Sequence, residues 1–216
     1  MLLALSMVLH FGVMPASAND GDAANAQVAP EVIYRLEFSD AEDRGKNSAS
    51  TEIPSAEFVG TGYTYTDNAI KGNTSVLLSG GSARTNYITI DGEVLNRDSI
   101  TLAGWFKIPS TVGNWSRLIE IYGDNSNFIS VMPYANNYYN GLHVCAKIDG
   151  TALRGADSKD NIIYEGKDAD ASVNTPEAGF GLPVYDAWVH YAYEFTPEAF
   201  KIYQNGKLMK SLAGDF

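Results

Sequence analysis

The chain has 216 residues, of which 45% are hydrophobic and 19% are charged. That length fits one domain with appendages, and the apolar content is sufficient for a packed core. The net charge of −11 has the wrong sign for neutralising phosphates or docking on anionic lipid, so no nucleic-acid partner is expected. The single cysteine, Cys145, cannot form an internal disulfide and has no cysteine or histidine companion at metal-ligand spacing.

An apolar run opens the chain. Met1–Ala18 ends in Ala16-Ser17-Ala18, the small-residue pattern after which signal peptidase cleaves. The run predicts a signal peptide at 1–18, followed by a small, polar linker at 19–30 and a secreted or cell-surface protein. A short buried strand or helix is the alternative for the same residues. No apolar stretch reaches the roughly 18 residues of a membrane span, so none is expected.

Short segments of β-branched and aromatic residues recur between turn signals from residue 31 onward. They are Val32–Phe38, Ser75–Leu78, Tyr87–Ile90, Ser99–Ile108, Arg117–Tyr122, Phe128–Pro133, Gly141–Ile148, Trp188–Phe195, Phe200–Gln204 and Lys207–Leu212. Such spacing is typical of an antiparallel sandwich, and no long window keeps the apolar period of a helix. We therefore predict an all-β fold with little helix.

Two segments support more detailed predictions. Ser99–Ile108 carries apolar residues on both alternating faces, which indicates a central strand. The strand that begins at Phe200 runs into Asn205-Gly206, a pair that tolerates positive φ and predicts a type I′ hairpin. Between them, Asp149–Pro183 is polar and rich in Gly and Asp, and predicts a long surface excursion.

Four weak motifs follow one another in a recognisable order: IYRLEF at 33–38, SITLAGWFK at 99–107, WVH at 188–190 and FKIYQNG at 200–206. From Val32 to Phe216 the chain resembles the laminin G-like domain of the concanavalin A-like lectin/glucanase superfamily. The resemblance implies a two-sheet antiparallel jelly-roll sandwich for residues 31–216. It also implies a further strand beyond the last residue given, so the C-terminal strands of the domain are expected to be missing.

The resemblance implies a lectin-like, non-catalytic module that binds carbohydrate, as part of a larger bacterial polysaccharide-degrading enzyme with adjoining domains. Aromatic rings stack on the apolar faces of sugars, and amide groups satisfy sugar hydroxyls. The candidate binding residues chosen on this basis are Trp115, Tyr134, Asn137, Tyr138 and Tyr139. Trp105 and Trp188 lie in predicted strands with apolar neighbours and are assigned to packing inside the sandwich.

Two other functions remain open. The same fold serves in cell-surface adhesion and protein interaction, which sequence separates poorly from glycan binding. A glucanase is the third possibility, and its branch of the superfamily implies a Glu-x-Asp-x-x-Glu strand. The nearest strand bearing an acid, Leu118–Tyr122, offers only Glu120, and a pairing of Glu120 with Asp124 has no specific spacing.

The resemblance further implies a structural calcium ion at the acidic opening of the domain. Glu37 and Asp40 are the candidate ligands, while another carboxylate of the family pattern would lie beyond Phe216. Because calcium takes 6–8 oxygen ligands, we expect weak or no binding by this chain.

Overall fold

The computed structural model describes residues 2–5, 10–13, 31–70, 72–79, 85–113, 116–132, 142–152, 162–165 and 184–213. Within these ranges the chain forms sixteen strands and one short 3-10 helix, Gly92–Leu95. The strands are β1 (Leu2–Leu5), β2 (His10–Val13), β3 (Glu31–Tyr34), β4 (Glu57–Val59), β5 (Tyr63–Ile70), β6 (Asn73–Ser79), β7 (Tyr87–Thr89), β8 (Ile100–Lys107), β9 (Ile119–Asp124), β10 (Asn127–Met132), β11 (Leu142–Ile148), β12 (Thr151–Ala152), β13 (Ile162–Glu165), β14 (Trp188–Phe195), β15 (Ala199–Gln204) and β16 (Lys207–Ala213). The all-β prediction is confirmed.

The strands pair antiparallel into three sheets. The largest has nine strands in the order β16-β15-β14-β8-β1-β6-β5, with β2 paired to both β8 and β3. The second has five strands in the order β12-β11-β10-β9, with β13 also paired to β11, and β4 and β7 form a two-stranded ribbon. The arrangement is the predicted antiparallel jelly-roll sandwich.

The hydrophobic core lies between the nine-stranded and five-stranded sheets. The large sheet contributes its biggest fully buried side chains, and the five-stranded sheet contributes Val131 together with Leu118, just before β9. These large-sheet residues are Tyr34, Phe106, Tyr191, Tyr193, Phe200 and Ile202. In the described part of β8 and β14, core residues alternate with partly buried residues over much of each strand, so each of these strands has a core face and an outward face.

Strand β8 behaves as its sequence predicts. It lies between β14 on one side and β1 and β2 on the other, so it is a central strand. Its residues Leu102 and Phe106 are buried in the core, whereas Trp105 and Lys107 alternate with them and are only partly buried. The outward face of β8 is thus its aromatic and charged face.

The predicted hairpin is confirmed, since Asn205 and Gly206 have φ values of 50° and 79° between β15 and β16. The predicted surface excursion is only partly right. Asp149 and Gly150 make a second such turn, with φ values of 49° and 73°. The chain then returns to the sheet as β12 and β13, both paired with β11.

Strand β3 ends earlier than its hydrophobic pattern suggests, because a buried asparagine replaces the sheet ladder. Asn47 accepts a hydrogen bond from the Arg35 backbone N–H at 3.1 Å and donates to the carbonyls of Ile33 and Ile53. These bonds fix the loop that follows β3 against the edge of the core.

The N-terminal apolar run forms strands where it is described. Residues 2–5 and 10–13 are β1 and β2, inside the largest sheet. The strand conformation agrees with the strand alternative, while the signal peptide and its cleavage after Ala18 stay predictions. Within the described ranges, no helix is long and apolar enough to cross a membrane.

Candidate functional site

The predicted sugar-binding residues all fall outside the described ranges. They are Trp115, Tyr134, Asn137, Tyr138 and Tyr139. The strands next to them in the chain are described. Segment 114–115 precedes β9, and segment 133–141 connects β10 to β11.

The register of the five-stranded sheet relates these two segments. Val131, near the end of β10, is paired with Ile119 at the start of β9, and Met132 is paired with His143 at the start of β11. The chain therefore enters β9, leaves β10 and enters β11 at one end of this sheet. We call it the binding end, defined by Ile119, Met132 and His143.

A polar cluster lies on the outward face at the binding end. The Arg117 Nε is 2.8 Å from Glu120 Oε1, and the Ser130 hydroxyl donates to the same oxygen at 2.9 Å. The Arg117 Nε also donates to the Ser130 hydroxyl oxygen at 3.4 Å. Ser130 and Glu120 are directly opposite in the ladder, alternating with Ile119 and Val131, which pack in the core.

Burial is graded across this cluster. Ser130 is only 1% exposed, the Glu120 side chain is 18% exposed and the Arg117 side chain is 39% exposed. The buried serine holds the carboxylate, and the carboxylate holds the more exposed guanidinium. The cluster therefore offers N–H donors beside a fixed acceptor, the two kinds of group that recognise hydroxyls.

The described residues do not make Glu120 and Asp124 a glycosidase pair. Four residues along one strand separate their α carbons by about 13 Å, whereas the two carboxyl groups of glycosidases are about 5–9.5 Å apart. Asp124 Oδ1 instead accepts hydrogen bonds from the Ser126 backbone N–H at 2.7 Å and from Asn127 Nδ2 at 3.2 Å. Its carboxylate organises the β9–β10 turn.

The assignment of Trp105 and Trp188 to sandwich packing is wrong. Trp105 is opposite His190, and Trp188 is opposite Lys107, so all four lie on the outward face of the nine-stranded sheet. The rings of Trp105 and His190 meet edge to face with centroids 5.3 Å apart, and all four residues are partly buried. We call this set the outward aromatic face.

The acidic opening is built around Asp40. Its Oδ1 accepts from the backbone N–H groups of Glu42 and Asp43 at 3.0 and 3.2 Å, and its Oδ2 accepts from Lys46 Nζ at 3.0 Å. The hydrogen bond from Lys46, aided by those backbone groups, lowers the pKa of the Asp40 carboxyl below its usual value. The carboxylate is thus already engaged by a turn and an ammonium group.

That arrangement does not fit a calcium cage. Lys46 places a positive charge beside the oxygens that an ion would need, and Glu37 lies between the core residues Leu36 and Phe38. Within the described ranges, no group of three or more Asp, Glu, His or Cys residues could hold a metal ion. Calcium at Glu37 and Asp40 stays a prediction of the family resemblance alone.

The fold of the chain is an antiparallel jelly-roll sandwich. The comparison with protein families identifies one superfamily within that class. A laminin G-type family model of the concanavalin A-like lectin/glucanases superfamily matches residues 79–215, more than half of the chain. The chain belongs to this superfamily, as predicted, and three of its four motifs lie within the matched residues. Comparisons with curated proteins and with solved structures returned no match.

Proposed function

We propose that this chain is a secreted, non-catalytic carbohydrate-binding module that holds a larger polysaccharide-degrading enzyme on its substrate. The observation that carries the proposal is the register of β9, β10 and β11. It brings Ile119, Met132 and His143, which are near in sequence to the candidate aromatic residues, to the binding end, where the Arg117 cluster lies.

The two kinds of residue would divide the recognition of a sugar between them. Trp115 and Tyr138 supply flat rings for the apolar C–H faces of a pyranose. Arg117 and Glu120 supply a donor and an acceptor for its hydroxyls, already aligned by Ser130. Because the ion pair is formed before a ligand arrives, binding would cost little side-chain entropy.

The partners of Glu120 support the non-catalytic part of the proposal. Its carboxylate is paired with Arg117, and the nearest acid on its strand, Asp124, is too far along the strand and engaged in a turn. A glycosidase needs a second carboxylate across the scissile bond. The arginine and serine partners of Glu120 in the described residues support a binding role for this cluster.

Adhesion through protein contacts is the second candidate function. The outward aromatic face favours it, because partly buried tryptophans on an outward sheet face are typical of protein interfaces as well as of glycan platforms. Glycan binding therefore predicts a binding surface on the five-stranded sheet, and adhesion predicts one on the nine-stranded sheet. Substitutions on each sheet can distinguish the two functions.

Native affinity electrophoresis in gels that contain glucans, arabinans, xylans or pectins tests the proposal. We expect at least one polysaccharide to retard the protein without release of reducing sugar. Trp115→Ala and Tyr138→Ala should each weaken the retention while the melting midpoint stays nearly fixed, because a ring that serves as a platform for sugar contributes little to the core. The matched control is Trp188→Ala, the same change on the other sheet, which should leave retention intact.

Folded protein that no polysaccharide in the panel retards would contradict the proposal and favour adhesion. Retention lost only in Trp188→Ala would move the binding surface to the outward aromatic face. Reducing ends that appear with the native protein and vanish with Glu120→Gln would restore the glucanase hypothesis.

A further inference from the structure

The position of the N-terminal apolar segment in the large sheet points to a second binding site. Strands β1 and β2 both run antiparallel to β8, with Leu5 opposite Phe106 and Phe11 opposite Leu102. Together they pair with five of the eight residues of β8 along one edge. On their other side, β1 pairs with β6 and β2 pairs with β3.

These two strands connect the halves of the sheet. Within the described ranges, β8 pairs on this edge only with β1 and β2, while β6 and β3 reach β8 only through them. Removing residues 2–13 would therefore leave three facing strand edges with unpaired N–H and C=O groups in the middle of a sheet. Such groups are costly when buried and invite strand addition when exposed.

The register of the segment also matches the core. The backbone positions of Leu5 and Phe11 are opposite Val76 and Tyr34 on one side of the gap, as well as opposite the core residues of β8. All of these opposed residues are 3% exposed or less. The gap is thus walled by core strands on both edges and is continuous with the core.

We propose that the gap between β8 and the edges of β6 and β3 is a strand-acceptor site. Its occupant is the N-terminal part of this chain, which binds through the antiparallel strands Leu2–Leu5 and His10–Val13 whether or not it stays covalently attached. Main-chain hydrogen bonds to both edges provide the affinity, as in other cases of strand addition. Cleavage at the predicted site after Ala18 cuts none of the paired residues, since the last of them is Val13.

The test cuts the folded full chain. A site for a sequence-specific protease is placed in the linker at 19–30, and the protein is cleaved under native conditions. We expect the N-terminal fragment to co-elute with the rest of the chain in size exclusion, at equal stoichiometry by intact mass, and to separate only in denaturant. Amide exchange in β8 and β6 should stay within roughly tenfold of the uncut protein.

A proline pair provides the matched control. Ala4 is paired with Leu77 on one side and Lys107 on the other, so Ala4→Pro removes a ladder donor within the gap. Fragment retention should be lost in Ala4→Pro and kept in Ala24→Pro, which changes the linker. If Ala4→Pro does not fold, exchange in the cut native sequence decides the question.

A fragment that elutes apart from the rest of the chain would overturn the proposal, whatever the state of the remainder. So would co-elution in which amides of β8 exchange as fast as those of an open edge, since that pattern means non-specific adhesion of an apolar peptide. Neither readout depends on carbohydrate binding.

Discussion

Two neighbouring core tyrosines on β14 should respond in opposite ways to the same substitution. Tyr191 and Tyr193 both point into the core and are both fully buried. The Tyr191 hydroxyl accepts a hydrogen bond from Gln204 Nε2 at 3.3 Å. The Tyr193 hydroxyl has no hydrogen-bond partner within the part of the chain that the structure describes. We therefore expect Tyr193→Phe to stabilise the protein and Tyr191→Phe to destabilise it.

The size of the effect follows from the cost of a buried polar group. A hydroxyl that is buried without a partner costs about 1–3 kcal/mol in proteins, whereas a made hydrogen bond contributes about 0.5–1.5 kcal/mol. Part of the gain in Tyr193→Phe is offset by the contacts that the oxygen atom made, so we expect a net rise of about 1 kcal/mol. For a domain of this size that raises the melting midpoint by roughly 2–4 °C.

Urea denaturation and thermal melts of the native protein and both variants at neutral pH provide the measurement. The native Tyr191 and Tyr193 are neutral there, so charge does not enter the comparison. The same atom is removed at two sites of equal burial, and only the hydrogen bond differs. A fall in stability for Tyr193→Phe as large as that for Tyr191→Phe would refute the reasoning, because the hydroxyl must then be satisfied by an internal water.

Three further predictions follow from burial and charge. Burial raises the pKa of Tyr191 to about 12 and that of Tyr193 well above its usual value. As the pH rises past 10, the unfolded chain therefore loses its phenolic protons before the folded chain does. Above that pH the free energy of unfolding should fall by about 1.4 kcal/mol per pH unit for each such tyrosine. Denaturation measured between pH 8 and 11 tests this. Phe106→Ala should cost about 3–5 kcal/mol in urea melts, since Phe106 is 1% exposed in the core. Calorimetry should show weak or no calcium binding, because the Lys46 ammonium group is already paired with the Asp40 carboxylate. A tight binding isotherm would contradict this.

Strand positions were predictable where a run of β-branched and aromatic residues was bounded by turn signals. Every segment rich in β-branched and aromatic residues between turn signals contains a strand, and Asn205-Gly206 makes its predicted turn. Strand β5 was missed because Asp67 and Asn68 look like a turn in the sequence. In the structure, Asn68 takes a φ of 53° within β5, so the irregularity is absorbed at a sheet edge.

The outward position of Trp105 could not be decided from alternation. Both faces of β8 carry apolar residues. The alternation of side chains along a strand places Trp105 and Phe106 on opposite faces, but it does not say which of the two residues faces the second sheet. Packing against β9 and β10 decides it, and those contacts join residues that are distant in sequence. The same ambiguity hid the outward aromatic face, since a tryptophan beside apolar neighbours resembles a core residue.

The Arg117 cluster could not be predicted from the sequence, for a different reason. Asp124 and Asn127 bound a tight turn, and counting outward from that turn without irregularity places Glu120 opposite Val131, a core residue. In the structure a register shift between Asn127 and Phe128 moves the pairing by one residue, so that Glu120 is opposite Ser130. Arg117, three residues before Glu120, completes the cluster. The polar groups of this site therefore meet because of a bulge, which neither the spacing of the acids nor the position of the turn predicts.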